Sequence, residues 1–227
     1  MNSHKIPVHV AIIPDGNRRY AKAKGLPVAF GHGRGYERTK EIISNAQEKG
    51  VKFLTLWAFS TENWGRSEEE VSELLKLIKR GLIELYNEAR IQKTKLVHIG
   101  RRDRLGSEIV SLLESIEKET ESYNDFCLCI AIDYGGEDEI RRAEEKLKMS
   151  TDPSKHITDF LDTTLIGIPS PDLIIRTGGE KRTSGFLPLQ SAYAEWIFEE
   201  RMFPDFDEEA FQIALDEYAL RARRFGR

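Results

Sequence analysis

Short apolar runs alternate along this chain with longer amphipathic segments, and this alternation constrains the fold more than any other feature. The runs predict short buried strands at residues 9–13, 53–59, 96–99, 127–132 and 173–175. Apolar residues at helical spacing predict helices at residues 18–24, 37–49, 67–90, 107–121, 138–148 and 207–223. Strands alternating with such helices predict an α/β fold with a mostly parallel central sheet flanked by helices.

Length and composition narrow the class of protein. No Pro/Gly/Ser-rich linker divides the 227 residues, so we expect a single domain over residues 1–227. The net charge of -4 argues against a nucleic-acid partner. The chain has no run of 18 apolar residues, and its first residues lead directly into a strand, so we expect a soluble cytoplasmic protein. Cys127 and Cys129 face one side of a strand and are predicted to be core thiols.

The first predicted strand ends in Asp15-Gly16-Asn17-Arg18-Arg19, which is a candidate anion site. Free backbone N–H groups at the start of a helix favour phosphate, and the two arginines add charged donors. A carboxylate beside a phosphate repels it unless a divalent cation lies between them. Asp15 therefore predicts a diphosphate bridged by Mg²⁺. The alternative is an ordinary turn in which Asp15 caps the helix.

Polar clusters also follow two other strands, and ligands of such sheets bind beyond the carboxyl ends of strands. After the second strand come Ser60, Thr61, Glu62 and Asn63, residues that also commonly form turns. The charged head of Arg66 next to the ring of Trp64 suits a ligand with both a phosphate and a hydrocarbon part.

The cluster after the last predicted strand resembles a second phosphate cradle. Gly178 and Gly179 are expected to expose backbone amides, although a Gly-Gly turn alone is commonplace. The side chains that would supply anion contacts are Arg176, Lys181, Arg182, Thr183 and Ser184.

Apolar residues flank these clusters and predict a lipid diphosphate ligand, unless they are simply core residues. They are Tyr20, Phe30, Phe59, Trp64, Phe186, Leu187 and Leu189. The chain lacks a nucleotide P-loop pattern, which disfavours ordinary nucleotide binding.

With these clusters, the chain resembles the cis-prenyltransferase family, whose best-known members are undecaprenyl diphosphate synthases. The matching motifs run nearly from end to end. They are Asp15-Gly16-Asn17-Arg18-Arg19, Gly31-His32-Gly33-Arg34-Gly35, Phe59-Ser60-Thr61-Glu62-Asn63-Trp64, Tyr134-Gly135-Gly136, Arg176-Thr177-Gly178-Gly179-Glu180, Ala192-Tyr193-Ala194-Glu195, Phe203-Pro204-Asp205-Phe206 and Arg224-Phe225-Gly226.

The resemblance implies a homodimer with an apolar tunnel beside the sheet. It also implies a Mg²⁺-dependent transferase that joins an allylic diphosphate, farnesyl or geranylgeranyl diphosphate, to successive isopentenyl diphosphates, giving a polyprenyl diphosphate. Contact with a membrane through this lipid product is compatible with a cytoplasmic protein. The alternative is a non-catalytic partner subunit of a heteromeric enzyme. Such subunits typically lose the catalytic acid, whereas this chain has Asp15, Asn63 and Glu195.

The resemblance also implies roles for single residues. Asp15 is the catalytic acid and, with Glu195, a Mg²⁺ ligand. Asn63, assisted by Ser60, takes part in removing a proton from the isopentenyl unit. The substrate-binding residues are Gly16, Asn17, Arg18, Arg19, Tyr20, His32, Ser60, Thr61, Glu62, Trp64, Arg66, Arg176, Arg182, Thr183, Ser184, Arg224 and Gly226.

Two residues depart from the family pattern, and the C-terminal run is a third distinctive feature of the chain. Val28 stands where many members have a diphosphate-binding arginine, and Lys181 where some have a histidine near the metal. The dense charge of the C-terminal run, residues 221–227, would otherwise indicate a solvated tail. In relatives an Arg-x-Gly ending reaches across the dimer, so Arg224 and Gly226 are expected to complete the partner's isopentenyl diphosphate site.

Overall fold

Six strands form one parallel sheet in this computed structural model, which describes residues 6–221. The strands are β1 (His9–Ile13), β2 (Phe53–Ser60), β3 (Thr94–Ile99), β4 (Phe126–Tyr134), β5 (Leu173–Arg176) and β6 (Glu195–Phe198). Their order across the sheet is β3-β4-β2-β1-β5-β6. The five predicted strands and the parallel sheet are confirmed. The sixth strand was missed because its four residues include a leading glutamate and border a charged segment.

Helices cover both faces of the sheet, as predicted. They are α1 (Asn17–Ala23), α2 (Val28–Glu48), α3 (Glu68–Gln92), α4 (Ser107–Thr120), α5 (Gly136–Met149), α6 (Asp162–Leu165) and α7 (Glu208–Leu220). The Ser67 hydroxyl caps α3 by accepting from Glu70 N at 3.3 Å, and Asp207 caps α7 by accepting from Ala210 N at 3.0 Å. None of the described helices is long and apolar enough to cross a membrane.

Helix α2 begins at Val28 instead of residue 37, so the predicted start of this helix was wrong. These glycines allow α2 to cross α1 closely. A Cβ atom on Gly31 would lie 2.1 Å from the Asn17 carbonyl oxygen, and one on Gly35 would lie 2.3 Å from Asn17 Oδ1. The glycines therefore serve helix packing, and they bring α2 against the start of α1.

Two apolar layers enclose the sheet. On one face Leu56 and Ile130 pack with residues of α2, α3 and α7. Phe126, the first residue of β4, belongs to this same layer. Cys127 and Cys129 lie on the opposite face and are buried free thiols, as predicted, and burial raises the pKa of Cys127 to about 11.

Candidate active site

Three strand ends meet at one edge of the sheet, because β2, β1 and β5 are neighbours. Asp15 follows β1, Ser60 ends β2 and Arg176 ends β5. A cavity of about 340 Å³ lies between them. Its walls include the predicted site residues Asp15, Asn17, His32, Ser60, Glu62, Asn63, Arg66, Arg176 and Ser184. The structure thus brings together residues that are far apart in sequence.

Asp15 lies between two arginines. Arg176 Nη2 donates to Asp15 Oδ2 at 2.9 Å, and Arg19 Nη2 lies 3.3 Å from Asp15 Oδ1. Asp15 does not cap α1, because the N-cap residue is Gly16 and no side chain bonds the helix start. Gly16 has a φ of 108° and approaches Met202 so closely that a Cβ atom would lie 2.8 Å from Met202 Cβ. The turn therefore needs glycine and leaves the Asp15 carboxylate directed at the cavity.

The cluster after β5 contributes side chains instead of backbone amides. Gly178 N donates to the Arg201 carbonyl at 2.7 Å, and Gly179 N donates to the Glu199 carbonyl at 2.8 Å. Both amides are therefore occupied, and the prediction that they cradle a phosphate was wrong. Arg176 is buried and its Nη1 donates to Ser184 Oγ at 2.7 Å. Charged and hydroxyl side chains remain available for an anion.

A larger cavity of about 780 Å³ adjoins the first and is bordered by α1 and the start of α2. Its walls include Asp15, Gly16, Asn17, Arg18, Arg19, Lys22, Val28, His32 and Arg66. Val28 carries no charge, so the positive charge of this cavity comes from α1 and from Arg66. This cavity has the composition of an anion site, with a concentration of arginines and one half-buried histidine.

Glu70 holds several of these cations. Arg66 Nη1 donates to Glu70 Oε1 at 2.8 Å, while Arg18 Nε and His32 Nε2 each lie 3.6 Å from the same oxygen. Burial, together with the positive charge of Arg66, lowers the pKa of His32. Glu70 was not predicted as a site residue, because nothing in its local sequence within α3 indicates this role.

Unpaired buried atoms concentrate at this site. Within residues 6–221, five buried side-chain nitrogen or oxygen atoms lack a hydrogen-bond partner. Three of them belong to site residues: Asn17 Oδ1, His32 Nε2 and Arg176 Nε. Such atoms are rare in folded proteins, so their clustering marks a place where polar groups await another partner.

The Asn63 side chain has a fixed orientation. It lies in a 3₁₀ turn, Thr61–Gly65, which directly follows β2. Ser60 N donates to Asn63 Oδ1 at 3.0 Å, and the Ser60 hydroxyl accepts in return from the Asn63 backbone. Asn63 therefore faces the smaller cavity as a positioned amide.

Several predicted substrate contacts do not border either cavity. The Trp64 indole packs against Phe59 and donates to Asp133 Oδ1 at 2.8 Å, and it lines neither of the two anion cavities. The Tyr20 ring is buried beneath Lys24, with Nζ 4.8 Å from the ring centre. Neighbouring chain packing, which local sequence does not reveal, decides these side-chain directions. Thr61 donates to Glu62 at 2.9 Å, whereas Thr183 and Arg182 are exposed, Arg182 pairing with Glu180.

The apolar wall beside the site comes from other residues than those predicted. Phe59, Phe186 and Leu187 are core residues with no exposed surface. A mainly apolar cavity of about 120 Å³ instead lies between α2, α3 and the sheet, adjoining Asn17 and His32. Its apolar walls include Leu56, Ala58, Leu74, Leu77, Ile78, Leu82, Leu85, Ile130 and Ile132. The apolar tunnel itself stays a prediction.

A metal ion at this site would bind through Asp15, which lines both anion cavities. No group of three or more His, Cys, Asp or Glu residues among residues 6–221 could hold a metal ion by itself. Asp15 nevertheless suits Mg²⁺ that binds through one carboxylate, substrate phosphates and water, the usual arrangement for this ion. The unpaired nitrogen atoms around the cavity fit the phosphates that such an ion needs.

Glu195 does not lie beside Asp15 in the same chain. It begins β6, where it is level with Leu173, whereas Arg176 is level with Phe198. Three strand residues, about 10 Å, therefore separate it from the edge that carries Asp15. Glu195 instead accepts from Arg221 Nη1 at 3.0 Å. Together the two carboxylates do not form the predicted metal site within one chain, and Arg224 and Gly226 lie outside the described residues.

A parallel α/β sheet whose carboxyl edge carries two adjoining anion cavities defines a class of enzymes that act on phosphorylated ligands. The family model described as "Putative undecaprenyl diphosphate synthase" matches residues 13–226. The chain belongs to this family, the cis-prenyltransferases, and is an enzyme of that class.

Relatives cover the chain almost completely. The isoprenyl transferase of Aquifex aeolicus is 45% identical, spanning 99% of this chain and 98% of its own length. That of Agrobacterium fabrum is also 45% identical, spanning 97% of this chain and 92% of its own length.

Two solved structures have closely similar folds. Lavandulyl diphosphate synthase from Lavandula x intermedia, in complex with dimethylallyl diphosphate, has a TM-score of 0.93 at 33% identity and covers 98% of this chain and 99% of its own. A "probable undecaprenyl diphosphate synthase" from Campylobacter jejuni has a TM-score of 0.83 at 30% identity, with 100% of both chains covered.

Proposed function

We propose that this enzyme elongates an allylic diphosphate, farnesyl or geranylgeranyl diphosphate, with successive isopentenyl diphosphates in a Mg²⁺-dependent reaction. The observation that carries the proposal is the position of Asp15, between two adjoining cationic cavities that border an apolar cavity. The whole chain, residues 1–227, acts as one catalytic domain and forms a homodimer. It works in the cytoplasm, and membrane contact arises through its lipid product.

The allylic diphosphate occupies the larger cavity. Arg18 and Arg19 of α1, with Asn17 and His32, surround its phosphates, while its hydrocarbon part enters the apolar cavity beside Asn17 and His32. Arginines aimed at the departing diphosphate stabilise the negative charge that develops when the allylic C–O bond breaks. Mg²⁺ bound between Asp15 and this diphosphate would neutralise further charge on the leaving group.

The isopentenyl diphosphate occupies the smaller cavity. Arg176 and Ser184 already contact each other there, and Arg182 lies on the same segment. Ser60 fixes the amide of Asn63 beside this site. An amide is a poor base, so Asn63 orients the isopentenyl unit while a diphosphate oxygen accepts the proton.

The direct test is an elongation assay with purified chain, farnesyl diphosphate, labelled isopentenyl diphosphate and Mg²⁺, with products separated by length. We expect a ladder of longer prenyl diphosphates and at least a 100-fold slower reaction for Asp15→Asn, about the loss found when one transition-state contact is removed. Glu144→Gln, which neutralises an exposed carboxylate paired with Lys148 on helix α5, is the matched control and should stay near wild type. Failure of the wild-type chain to extend the primer would overturn the proposal.

The same assay separates this function from its alternative. A non-catalytic partner subunit would show no activity when purified alone, and activity only with a second, different chain. Retention of Asp15 and Asn63 in one cavity supports the catalytic reading.

The C-terminal residues are expected to act across the homodimer. We propose that Arg224 and Gly226 complete the isopentenyl diphosphate site of the partner subunit. Deletion of residues 224–227 should then raise the KM for isopentenyl diphosphate and leave that for the allylic primer unchanged. Equal KM values in the deleted and full-length chains would exclude this role.

A further inference from the structure

A buried carboxylate, Asp133, pairs with an exposed arginine, Arg104, next to the turn that carries Asn63. Asp133, near the end of β4, has no exposed surface. Arg104 Nε donates to its Oδ2 at 2.8 Å, and Arg104 Nη2 contacts its other oxygen. The Trp64 indole N–H donates to that same Oδ1 at 2.8 Å. One carboxylate thus binds a guanidinium on one side and an indole on the other.

Asp133 lowers the stability of the folded protein in two ways, neither of which concerns the packing of the apolar core. A carboxylate removed from water carries a large desolvation penalty, which its partners only partly offset. Its φ of 51° is also a left-handed conformation that residues other than glycine seldom adopt. Local strain that persists in a fold concentrates beside functional sites. Here it lies beside the turn that places Asn63.

The contacts of Trp64 connect this pair to the turn. Trp64 directly follows Asn63, and the Arg104 guanidinium lies 5.7 Å from the centre of its ring. Phe59 packs against the same indole edge to face, with ring centres 5.2 Å apart. The tryptophan therefore has three partners, the Asp133 carboxylate, a cation and an aromatic ring.

The backbone of β4 also closes on the turn. Ser60 is level with Tyr134 in the β2–β4 pairing, and a Cβ atom on Gly135 would lie 2.2 Å from Thr61 Oγ1. Neither Asp133 nor Arg104 borders the two anion cavities. They reach the reacting groups only through Trp64 and the turn.

We propose that Asp133 and Arg104 are positioning residues for prenyl transfer, which hold Asn63 in its reactive orientation by anchoring Trp64. This inference rests on the proposed function, because it assigns a role within that reaction. It requires that the pair affect turnover while the allylic cavity, built from α1 and α2, keeps its affinity.

The test compares Arg104→Gln and Asp133→Asn with wild-type enzyme in the elongation assay. We expect kcat to fall at least tenfold in both variants and the allylic KM to change less than twofold. Arg90→Gln is the matched control, since the guanidinium of this exposed arginine also lies 5.7 Å from the centre of an aromatic ring, that of Tyr86, near the C-terminal end of α3. Its kcat should stay within twofold of wild type.

A double-mutant cycle separates positioning from a general loss of structure. If the pair acts through Asn63, Arg104→Gln should lower kcat less than twofold in an Asn63→Ala background, despite its tenfold effect in wild type. Losses that multiply in the double variant would overturn the inference. Thermal unfolding reports any variant that fails to fold, and Asp133→Asn, which preserves shape, then provides the second measurement.

A spectroscopic readout does not depend on activity. The chain has 3 tryptophans, so ¹⁵N-labelled protein gives few indole N–H signals, and Trp64→Phe identifies one of them. Asp133→Asn and Arg104→Gln should shift the Trp64 signal, whereas Arg90→Gln should not. An active wild-type enzyme whose kcat and Trp64 signal are unaffected by Arg104→Gln would overturn this inference alone. An inactive wild-type chain would overturn the proposed function, and this inference with it.

Discussion

At the scale of single residues, carboxylates hold the arginines that are expected to bind diphosphate. Within residues 6–221, Asp15 pairs with Arg19 and Arg176. Glu70 pairs with Arg18 and Arg66, and Glu180 pairs with Arg19 and Arg182. The charged groups are thus kept near their working positions without a ligand. A diphosphate must either displace these carboxylates or share the arginines with them, which makes a bridging cation at Asp15 favourable.

His32 supports a prediction about pH. Burial and the neighbouring Arg66 lower its pKa, so the free enzyme holds it neutral at pH 7, with Glu70 opposing them. A bound diphosphate raises that pKa, so binding takes up a proton and strengthens as pH falls. The allylic affinity, measured by calorimetry between pH 8 and 6, should rise as the pH falls, by up to about tenfold for each unit of pKa that binding adds.

The matched variant for this measurement is His32→Gln. The substrate's own phosphate titration is common to both proteins, so only the difference between their pH profiles reports His32. Parallel profiles would show that His32 does not contact the diphosphate.

At the scale of elements, the crossing of α1 and α2 builds the wall of the larger cavity. The two helices meet where Gly31 and Gly35 admit the backbone and side chain of Asn17. The hydrophobic pattern of the sequence predicts this helix only from residue 37 onward. It does not reveal the first turns of α2, which contain three glycines and few apolar residues. Close packing, which local propensity opposes, stabilises this part of the helix.

Alanine substitutions along α2 test this explanation. Gly31→Ala should lower the free energy of unfolding by roughly 1–3 kcal/mol, because its Cβ would overlap the Asn17 carbonyl. Gly33→Ala, on the same helix with no neighbouring atom within 4 Å, should raise stability by about 0.5–1 kcal/mol. Urea unfolding of both variants gives the comparison. Equal effects of the two would contradict the role of close approach.

At the scale of the whole molecule, two strand histidines are buried and hydrogen-bonded inside the fold. His9 Nδ1 donates to the Pro169 carbonyl at 2.7 Å, which leaves Nε2 to accept from the Thr55 hydroxyl at 2.8 Å. His98 Nε2 donates to the Ile132 carbonyl at 2.9 Å. Burial lowers the pKa of each from 6.5 to about 4, so both are neutral in the folded protein.

These histidines predict a loss of stability in mild acid. Between pH 6.5 and about 4 these histidines are protonated in the unfolded chain but stay neutral in the folded protein. The free energy of unfolding therefore falls as the pH is lowered through this window. Each histidine contributes about 3 kcal/mol of this loss, and neither contributes above the upper limit. Urea unfolding at a series of pH values measures the slope.

Paired carboxylates add to the acid effect at the lower end of this window, so the slope between pH 6.5 and 5 is the informative part. His9→Gln should reduce that slope relative to wild type, whatever its effect on stability at pH 7. An unchanged slope would show that His9 titrates normally.

The amino-acid sequence by itself determined the α/β class, the parallel sheet and the three polar strand ends. Hydrophobic periodicity is local, and the carboxyl ends of parallel strands share one edge, so Asp15, Ser60 and Arg176 could be expected to converge.

Only the tertiary structure decided which side chains face the cavities. Trp64 turns to a carboxylate at the end of β4, and the amides of Gly178 and Gly179 bind carbonyls near β6. Glu195 lies at the start of β6, at the opposite edge of the sheet from the strand ends that carry Asp15. Each outcome depends on a neighbour more than 15 residues away in the sequence, and such packing is settled by the burial and hydrogen bonding of the whole fold, not by local propensity.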